Sequence, residues 1–267
     1  MNIKCICSDI DGTLLNKDRE LSCATIEQIQ RLSHIPFILI SSRMPKAMRH
    51  LQKELGILHV PLIAYNGGLI IDNGEIIDTT EIEISIIEKL FDFISKTSLH
   101  FSLYHRDEWY VPSMDYWAKR ESNNTKVTPL IQPIQNTLKN WKAENKGAHK
   151  IMVMGDADEL DTVVSLIAEV FADEIIGYRS KDTYLEIAHK SISKKTAIEI
   201  LLNSHYPTLN LNEVLAFGDN YNDIEMLKSV GIGVAVENSN EAVLKIANVI
   251  TASNKDDGVA KYLLNHF

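Results

Sequence analysis

The sequence has few cysteines and no long apolar run, and each absence excludes a class of protein. Three of its 267 residues are cysteine, at positions 5, 7 and 23. An odd number near one end does not suit a disulfide framework and favours a reducing, cytoplasmic location. No apolar run approaches the roughly 18 residues of a membrane-spanning helix. Charge also appears too early in the first residues for the apolar core of a signal peptide.

Basic residues are outnumbered by acidic ones, which bears on the partners to expect. There are 27 lysines and arginines against 36 aspartates and glutamates, so the formal net charge is −9. An acidic surface repels nucleic acid and anionic lipid, and we expect neither as a partner. A small anionic ligand is compatible with this charge if its site supplies local positive charge. Nothing in the sequence requires an oligomer, and a monomer is compatible with it.

Short apolar segments alternate with amphipathic ones at both ends of the chain. This alternation predicts an α/β fold with a Rossmann-like parallel sheet. The predicted strands are residues 3–8, 36–41, 61–65, 214–217 and 231–236, and the predicted helices include residues 23–33, 45–55 and 194–203.

The middle of the chain has a different character. Asn73-Gly74 between apolar runs predicts a hairpin. Beyond it come short aromatic strands, a polar stretch over 120–147 and an amphipathic helix over 156–171. We therefore predict that residues 1–80 and 185–267 form one core, and that residues 81–184 form an inserted α+β domain that closes over the strand ends.

Two aspartates follow the first predicted strand. Asp9 and Asp11 are two residues apart, so in an extended chain their carboxylates point the same way. The carboxyl ends of parallel strands are where open α/β sheets bind ligands. Adjacent carboxylates repel each other and need a cation or a shared proton. Magnesium prefers oxygen ligands and often binds carboxylates together with a substrate phosphate.

Other strand and helix ends carry complementary groups. Asp219 and Asp223 follow another predicted buried strand, so they can converge on the same metal. Ser41 and Ser42 end a third strand, where hydroxyl and backbone N–H groups can hold phosphate oxygens. Lys194 opens a predicted helix, and lysine is a common point-charge partner for phosphate.

Four strings in the chain together resemble the motifs of the haloacid dehalogenase superfamily. They are Asp9-Ile10-Asp11-Gly12-Thr13-Leu14-Leu15, Ile40-Ser41-Ser42-Arg43, Leu185-Glu186-Ile187 with Ser193-Lys194, and the segment from Phe217 to Leu227. Their order, and the insertion between the second and third, resemble the Cof-type subfamily with a type IIB cap. The resemblance implies an α/β core of that superfamily and a phosphatase that uses Mg²⁺.

The resemblance also implies a role for each matching residue. Asp9 would be the nucleophile that forms an aspartyl-phosphate, and Asp11 the general acid and then the general base. The metal ligands would be Asp9, Asp219 and the backbone carbonyl of Asp11. The phosphate-binding groups would come from Ile10, Ser41, Ser42, Lys194 and Asn222. Asp223 would orient Lys194 or metal-bound water, and Arg43 would be a further supporting residue.

The second and third motifs depart from the subfamily's pattern. Ser42 stands where that pattern has glycine, which could restrict the turn. Lys195 stands where it has glycine after the lysine, so Lys195 and Lys190 are alternatives to Lys194.

Two other groups have competing interpretations. His100, His105 and His149 could suggest zinc, but they lie on separate predicted strands without ligand spacing, which favours packing. Asn66-Gly67-Gly68, at a strand end, could contact substrate or form a plain turn.

The function predicted from these residues is hydrolysis of phosphate monoesters of small metabolites, with sugar phosphates as the favoured class. A phosphomutase using the same aspartyl-phosphate is one alternative. A non-catalytic sensor of phosphorylated ligands is another.

Overall fold

The computed structural model describes residues 2–267, apart from the side chain of Ser180. It contains an α/β fold whose elements form two compact units, which are described separately. The first unit comprises the chain up to Arg43, together with Met48–Asp78 and Ser193–Phe267. The second comprises Met44–Ala47 and Thr79–Ile192. Within residues 2–267, no helix has both the length and the apolar character needed to cross a membrane.

The first unit is built on an eight-stranded sheet. Its strands are β1 Cys5–Ser8, β2 Phe37–Ile40, β3 Leu62–Ala64, β4 Leu69–Asp72, β5 Glu75–Thr79, β12 Val214–Gly218, β13 Ile232–Val236 and β14 Val249–Thr251. Its helices are α1 Cys23–Arg31, α2 Arg49–Leu55, α7 Lys194–His205, α8 Ile224–Ser229, α9 Glu241–Leu244 and α10 Gly258–His266.

The strand order of this sheet is β14-β13-β12-β1-β2-β3-β4-β5. The pairs from β14 to β3 are parallel, and β4 joins antiparallel to β3. In this register Ser8 lies opposite Phe217 on one side and Leu39 on the other. The residues that follow β1, β2 and β12 therefore meet at one edge of the sheet. Strands buried on both faces have continuous apolar sequences, as β1, β2 and β12 do.

The second unit contains a six-stranded sheet with the order β10-β11-β9-β6-β7-β8. Its strands are β6 His100–His105, β7 Glu108–Val111, β8 Leu130–Ile131, β9 Lys150–Met154, β10 Ile175–Lys181 and β11 Tyr184–His189. Its helices are α3 Ile84–Ile94, α4 Tyr116–Thr125, α5 Ile134–Glu144 and α6 Ala157–Val170. Leu90, Leu138 and Val163, on α3, α5 and α6, share one apolar cluster with Phe101 and Val153 of the sheet.

The structure changes some of the sequence-based boundaries. The predicted boundary between residues 184 and 185 is wrong, because it assigns the segment after residue 184 to the eight-stranded sheet of the core. Leu185-Glu186-Ile187 lies within β11, which pairs with β9 and β10 in the six-stranded sheet. The predicted helix over 45–55 begins as a 3₁₀ turn at Pro45–Ala47 and continues as α2 from Arg49. The predicted hairpin is confirmed: Asn73 and Gly74 have φ of 47° and 87° between β4 and β5.

Candidate active site

Asp9 lies directly after β1, where the chain turns sharply. Its N–H donates to the carbonyl of Phe217 at 3.0 Å, which ties the end of β1 to β12. The N–H groups of Leu14 and Leu15 then return to the carbonyl of Ile10. Gly12 has φ of +88°, and a Cβ there would be 2.4 Å from Oδ2 of Asp219. Glycine is therefore required both by the backbone conformation and by the neighbouring carboxylate.

Lys194 lies between two carboxylates. Its Nζ is 2.5 Å from Oδ1 of Asp9 and 2.6 Å from Oδ1 of Asp223, and its side chain is fully buried. Burial alone would lower the pKa of Lys194, but Asp223 and Asp9 outweigh it and raise the pKa above its usual value. The lysine is consequently a permanent cation beside Asp9. Ser193 caps α7 by accepting from the N–H of Thr196, which fixes Lys194 at the first position of the helix.

Asp223 uses both of its carboxylate oxygens within the protein. One accepts from Lys194, and the other accepts from the N–H groups of Asp219 and Asn220 at 2.9 and 3.0 Å. These contacts hold the lysine and the turn after β12 in one arrangement. With both oxygens engaged, Asp223 is suited to orienting neighbours rather than to binding a metal directly.

The carboxylates here are more crowded than one lysine can balance. Asp9, Asp219 and Asp223 each offer an oxygen, and these atoms lie within 4.8 Å of one another. Burial is the largest cause that raises the pKa of Asp9 well above its usual value, and Asp223 and Asp219 add to it while Lys194 opposes it. Burial, with Asp223, raises the pKa of Asp219 to about 6. A hard divalent cation fits the carboxylate oxygens of Asp9 and Asp219 and would relieve the repulsion within the cluster.

Asp11 is held by arginine rather than by the carboxylate cluster. Arg43 donates through Nε to Oδ2 and through a terminal nitrogen to Oδ1, each at 2.7 Å. Arg19, from the turn that follows Asp9, lies 3.4 Å from Oδ1. The buried Arg43 forms a bidentate pair, the arrangement in which arginine binds a carboxylate most strongly.

Ser41, in the loop after β2, contacts the backbone of Arg43 and of Asn66. The hydroxyl of Ser41 accepts from the N–H of Arg43 at 3.2 Å, and its carbonyl accepts from the N–H of Asn66 at 2.8 Å. Ser42 is not among the described residues with positive φ. The glycine that the family pattern places there is therefore not required by the backbone of this chain.

The structure distinguishes the three lysines considered from the sequence. Lys194 lies at the site, between Asp9 and Asp223. Lys195 is near Glu199 and Glu225, at 3.6 and 3.9 Å. Lys190 lies near Asp173 in the second unit.

Several contacts at the site were not anticipated. Thr13 donates to Oδ1 of Asp219 at 2.8 Å, which orients that carboxylate. Asn238 donates to the carbonyl of Gly12 at 2.8 Å, and Asn254 donates to the carbonyl of Leu15 at 2.7 Å. Asn238 follows β13 at the same sheet edge, so the strand-end pattern that identified Asp219 could also have identified it.

The three histidines considered for zinc do not form a common site. His100 contacts Asp115 and Ser102, whereas His105 and His149 lie near Glu81. The Arg106 N–H points at Nδ1 of His149 at 3.2 Å, so Nδ1 must accept and the proton must sit on Nε2. That tautomer cannot bind a metal through Nε2, the nitrogen that faces Glu81. Ligand atoms of Glu81, His105 and His149 lie within 4.8 Å of one another, and in this hydrogen-bonding arrangement Nε2 of His149 carries a proton.

Together, the parallel sheet and the carboxylate–lysine cluster at its strand ends are typical of a hydrolase with an α/β core and an acidic, metal-binding site. The chain matches the haloacid dehalogenase-like hydrolase family over residues 6–263. It therefore belongs to that family.

Individual relatives agree over nearly the full length. A "Putative phosphatase" of Haemophilus influenzae is 34% identical, covering 100% of this chain and 99% of the relative. A 5-amino-6-(5-phospho-D-ribitylamino)uracil phosphatase of Bacillus subtilis is 26% identical, covering 98% of this chain and 97% of the relative. A crystal structure of a haloacid dehalogenase-like hydrolase from Bacteroides thetaiotaomicron superposes with a TM-score of 0.89 at 28% identity, covering 99% of this chain and 100% of that one.

Proposed function

We propose that this protein is a magnesium-dependent phosphatase that hydrolyses phosphate monoesters of small metabolites through an aspartyl-phosphate on Asp9. The observation that carries the proposal is the placement of Asp9 against both Lys194 and the Asp219 carboxylate. A carboxylate that attacks a phosphate dianion meets like-charge repulsion, so the nucleophile needs cations on both sides. Lys194 supplies one, and the oxygen set of Asp9, Asp219 and the Asp11 carbonyl would hold the other.

In the first half of the proposed reaction, a carboxylate oxygen of Asp9 attacks phosphorus. The bond from phosphorus to the ester oxygen breaks, and Asp11 gives that oxygen its proton. Lys194, the Ser41 hydroxyl, Asn222 and the N–H groups of Ile10 and Ser42 would hold the phosphoryl oxygens. Bound Mg²⁺ would supply charge neutralisation as negative charge builds on these oxygens.

In the second half, water attacks the phosphorus of the aspartyl-phosphate. Asp11 accepts the water's proton, the bond to Asp9 breaks, and inorganic phosphate leaves with the carboxylate restored. Because Arg43 holds both oxygens of Asp11 here, Asp11 must leave at least one of these bonds to carry a proton. We assign Arg43 the task of holding Asp11 near the site between turnovers.

We propose sugar or polyol phosphates as the substrate class. The named substrate of the Bacillus relative carries its phosphate on a ribityl chain, which is a polyol phosphate. The segment Thr79–Ile192 of the second unit, whose sequence differs in character from that of the core, would select the leaving group. We also propose a reducing, cytoplasmic location, because Cys5 and Cys7 are buried free thiols.

The direct test is phosphate release from an aryl phosphate with Mg²⁺ and with chelator. We expect turnover that requires the metal, and loss of at least roughly a thousandfold in Asp9→Asn, which keeps the size of the side chain but removes the nucleophile. Undiminished turnover by Asp9→Asn would disprove the nucleophile assignment.

Assays of the purified protein with other phosphorylated compounds distinguish the alternative functions. A phosphomutase would convert a hexose phosphate to its isomer rather than to free phosphate. A non-catalytic sensor would bind phosphate without releasing it from any ester.

A further inference from the structure

The turn that follows β3 holds two consecutive non-glycine residues in the left-handed region. Tyr65 and Asn66 have φ of 54° and 56°. This conformation costs roughly 1–2 kcal/mol for an L-residue and is uncommon for a bulky one. Strain of this kind persists only where the surroundings enforce it, and it is concentrated at functional sites.

Hydrogen bonds join this turn to the loop after β2. The N–H of Tyr65 donates to the carbonyl of Arg43 at 3.1 Å, and the N–H of Asn66 donates to the carbonyl of Ser41 at 2.8 Å. The next residue, Gly67, lies so close to the start of α7 that a Cβ would be 2.7 Å from the carbonyl oxygen of Ser193. The strained turn therefore lies between the loop of Ser41 to Arg43 and Ser193, the residue that precedes Lys194.

The side chain of Asn66 reaches a third part of the site. Its Oδ1 accepts from Nδ2 of Asn222 at 3.0 Å, and Asn222 lies in the 3₁₀ turn Tyr221–Asp223 after β12. In this contact Asn222 donates through its NH₂ group and the side-chain carbonyl oxygen of Asn66 accepts. That group has a second hydrogen, which can serve a phosphoryl oxygen.

We propose that Asn66 is a positioning residue: it fixes the amide of Asn222 so that its NH₂ group serves the phosphoryl oxygens. The inference rests on the proposed function, in which Asn222 binds phosphate. The competing interpretation is a plain turn, since asparagine tolerates positive φ better than most residues. A plain turn does not account for a side-chain bond to Asn222, 156 positions away.

The variant that separates these interpretations is Asn66→Gly. Glycine adopts the same φ without strain, so the turn should persist and the melting temperature should change by no more than about 2 °C. The bond to Asn222 is lost, and we expect kcat/KM for an aryl phosphate to fall about 10- to 100-fold, the usual effect of one or two hydrogen-bond energies. Asn73→Gly is the matched control: Asn73 also has positive φ, but its side chain bonds only the adjacent Asp72 in the described contacts. It should leave kcat/KM unchanged.

A double-mutant cycle with Asn222→Ala tests whether Asn66 acts through Asn222. If it does, Asn66→Gly causes no further loss in the Asn222→Ala background, because the group it positions is gone. Losses that multiply would show that Asn66 acts independently and would overturn the proposal, as would an Asn66→Gly variant with the kcat/KM of the wild type.

Binding of inorganic phosphate in the presence of Mg²⁺, measured by calorimetry, gives a readout that does not depend on turnover. We expect the affinity to fall about 10-fold in Asn66→Gly and to stay unchanged in Asn73→Gly. If the wild type binds phosphate but releases none from esters, the proposed hydrolysis fails while this inference is still tested. Equal phosphate affinity in wild type and Asn66→Gly would refute it.

Discussion

We expect the ionised carboxylate of Asp219 to destabilise the folded state when no metal is bound. Its pKa is raised from its usual value to about 6, chiefly by burial and then by Asp223. A raised carboxyl pKa means that the folded state binds the proton more tightly than the unfolded chain. The resulting stabilisation is present at acid pH and is lost as pH rises through 6, so the ionised group opposes folding at pH 7.5. The free energy that corresponds to this rise in pKa is roughly 3 kcal/mol, as an order of magnitude.

Asp219→Asn should therefore stabilise the metal-free protein. An amide oxygen can still accept the hydrogen bond from Thr13, and the N–H of residue 219 still donates to Asp223, so the local contacts survive. We expect the variant to unfold at a higher temperature than the wild type in chelator at pH 7.5. This difference in unfolding temperature between the variant and the wild type should shrink towards pH 4, where the wild-type carboxyl is protonated.

Added Mg²⁺ should reverse the order of stability. A ligand present at 1,000 times its dissociation constant stabilises the folded state by about 4.1 kcal/mol, which exceeds the roughly 3 kcal/mol that the ionised Asp219 costs. The wild type should gain this and Asp219→Asn should gain little, because it lacks one of the two carboxylate ligands. Thermal unfolding of both proteins with chelator and with Mg²⁺ supplies the measurement. A variant less stable than wild type in chelator, or equally stabilised by Mg²⁺, would refute the reasoning.

Two further predictions follow from close contacts and burial. Gly12→Ala should weaken Mg²⁺ binding and lower the free energy of unfolding by roughly 3 kcal/mol or more, because the added Cβ would collide with the carboxylate of Asp219. Gly74→Ala is the control: Gly74 has nearly the same φ but open space around it, so the substitution should cost only about 1 kcal/mol and leave activity unchanged. Equal effects of the two substitutions would argue against the contact with Asp219. His149 should make stability fall on acidification, since burial, then His105 and Arg106, lower its pKa to about 3 and the unfolded chain takes up a proton near pH 6.5. Between pH 7 and 5 that loss is roughly 2 kcal/mol. His149→Gln should remove this part of the pH dependence of thermal unfolding, and an unchanged dependence would contradict the assignment.

The main parts of the site were accessible from the sequence because each is local. Buried apolar runs identified the strands, and parallel pairing brings the polar residues that follow them to one edge. Asp9, Asp219 and Ser41 could be assigned in this way. Lys194 could be separated from Lys195 and Lys190 only by its partners, because the sequence places all three near the start of one helix.

What the sequence did not predict depends on distant pairing. Residues Tyr184–His189 form an apolar strand that could pair in either sheet, and only its partners β9 and β10 place it in the six-stranded one. The polar stretch that contains α4 and α5 has weak periodicity, and its helices depend on an Asp115 cap and on Trp141 packing into the apolar cluster. The bond between Asn66 and Asn222 joins two turns, and no local pattern predicts it.

Charge at the site leads to a last expectation about binding. Among the described residues, Lys194 is the cation that contacts the cluster of Asp9, Asp219 and Asp223, while Arg43 and Arg19 are engaged with Asp11. A phosphate dianion that enters this cluster without a metal adds negative charge to an existing excess. Mg²⁺ and inorganic phosphate should therefore each raise the affinity of the other, and linkage requires the two factors to be equal. Calorimetric titration of phosphate with and without Mg²⁺, and of Mg²⁺ with and without phosphate, measures both. Phosphate binding of equal strength in chelator would show that the protein's own cations suffice, and the charge argument for the metal would fail.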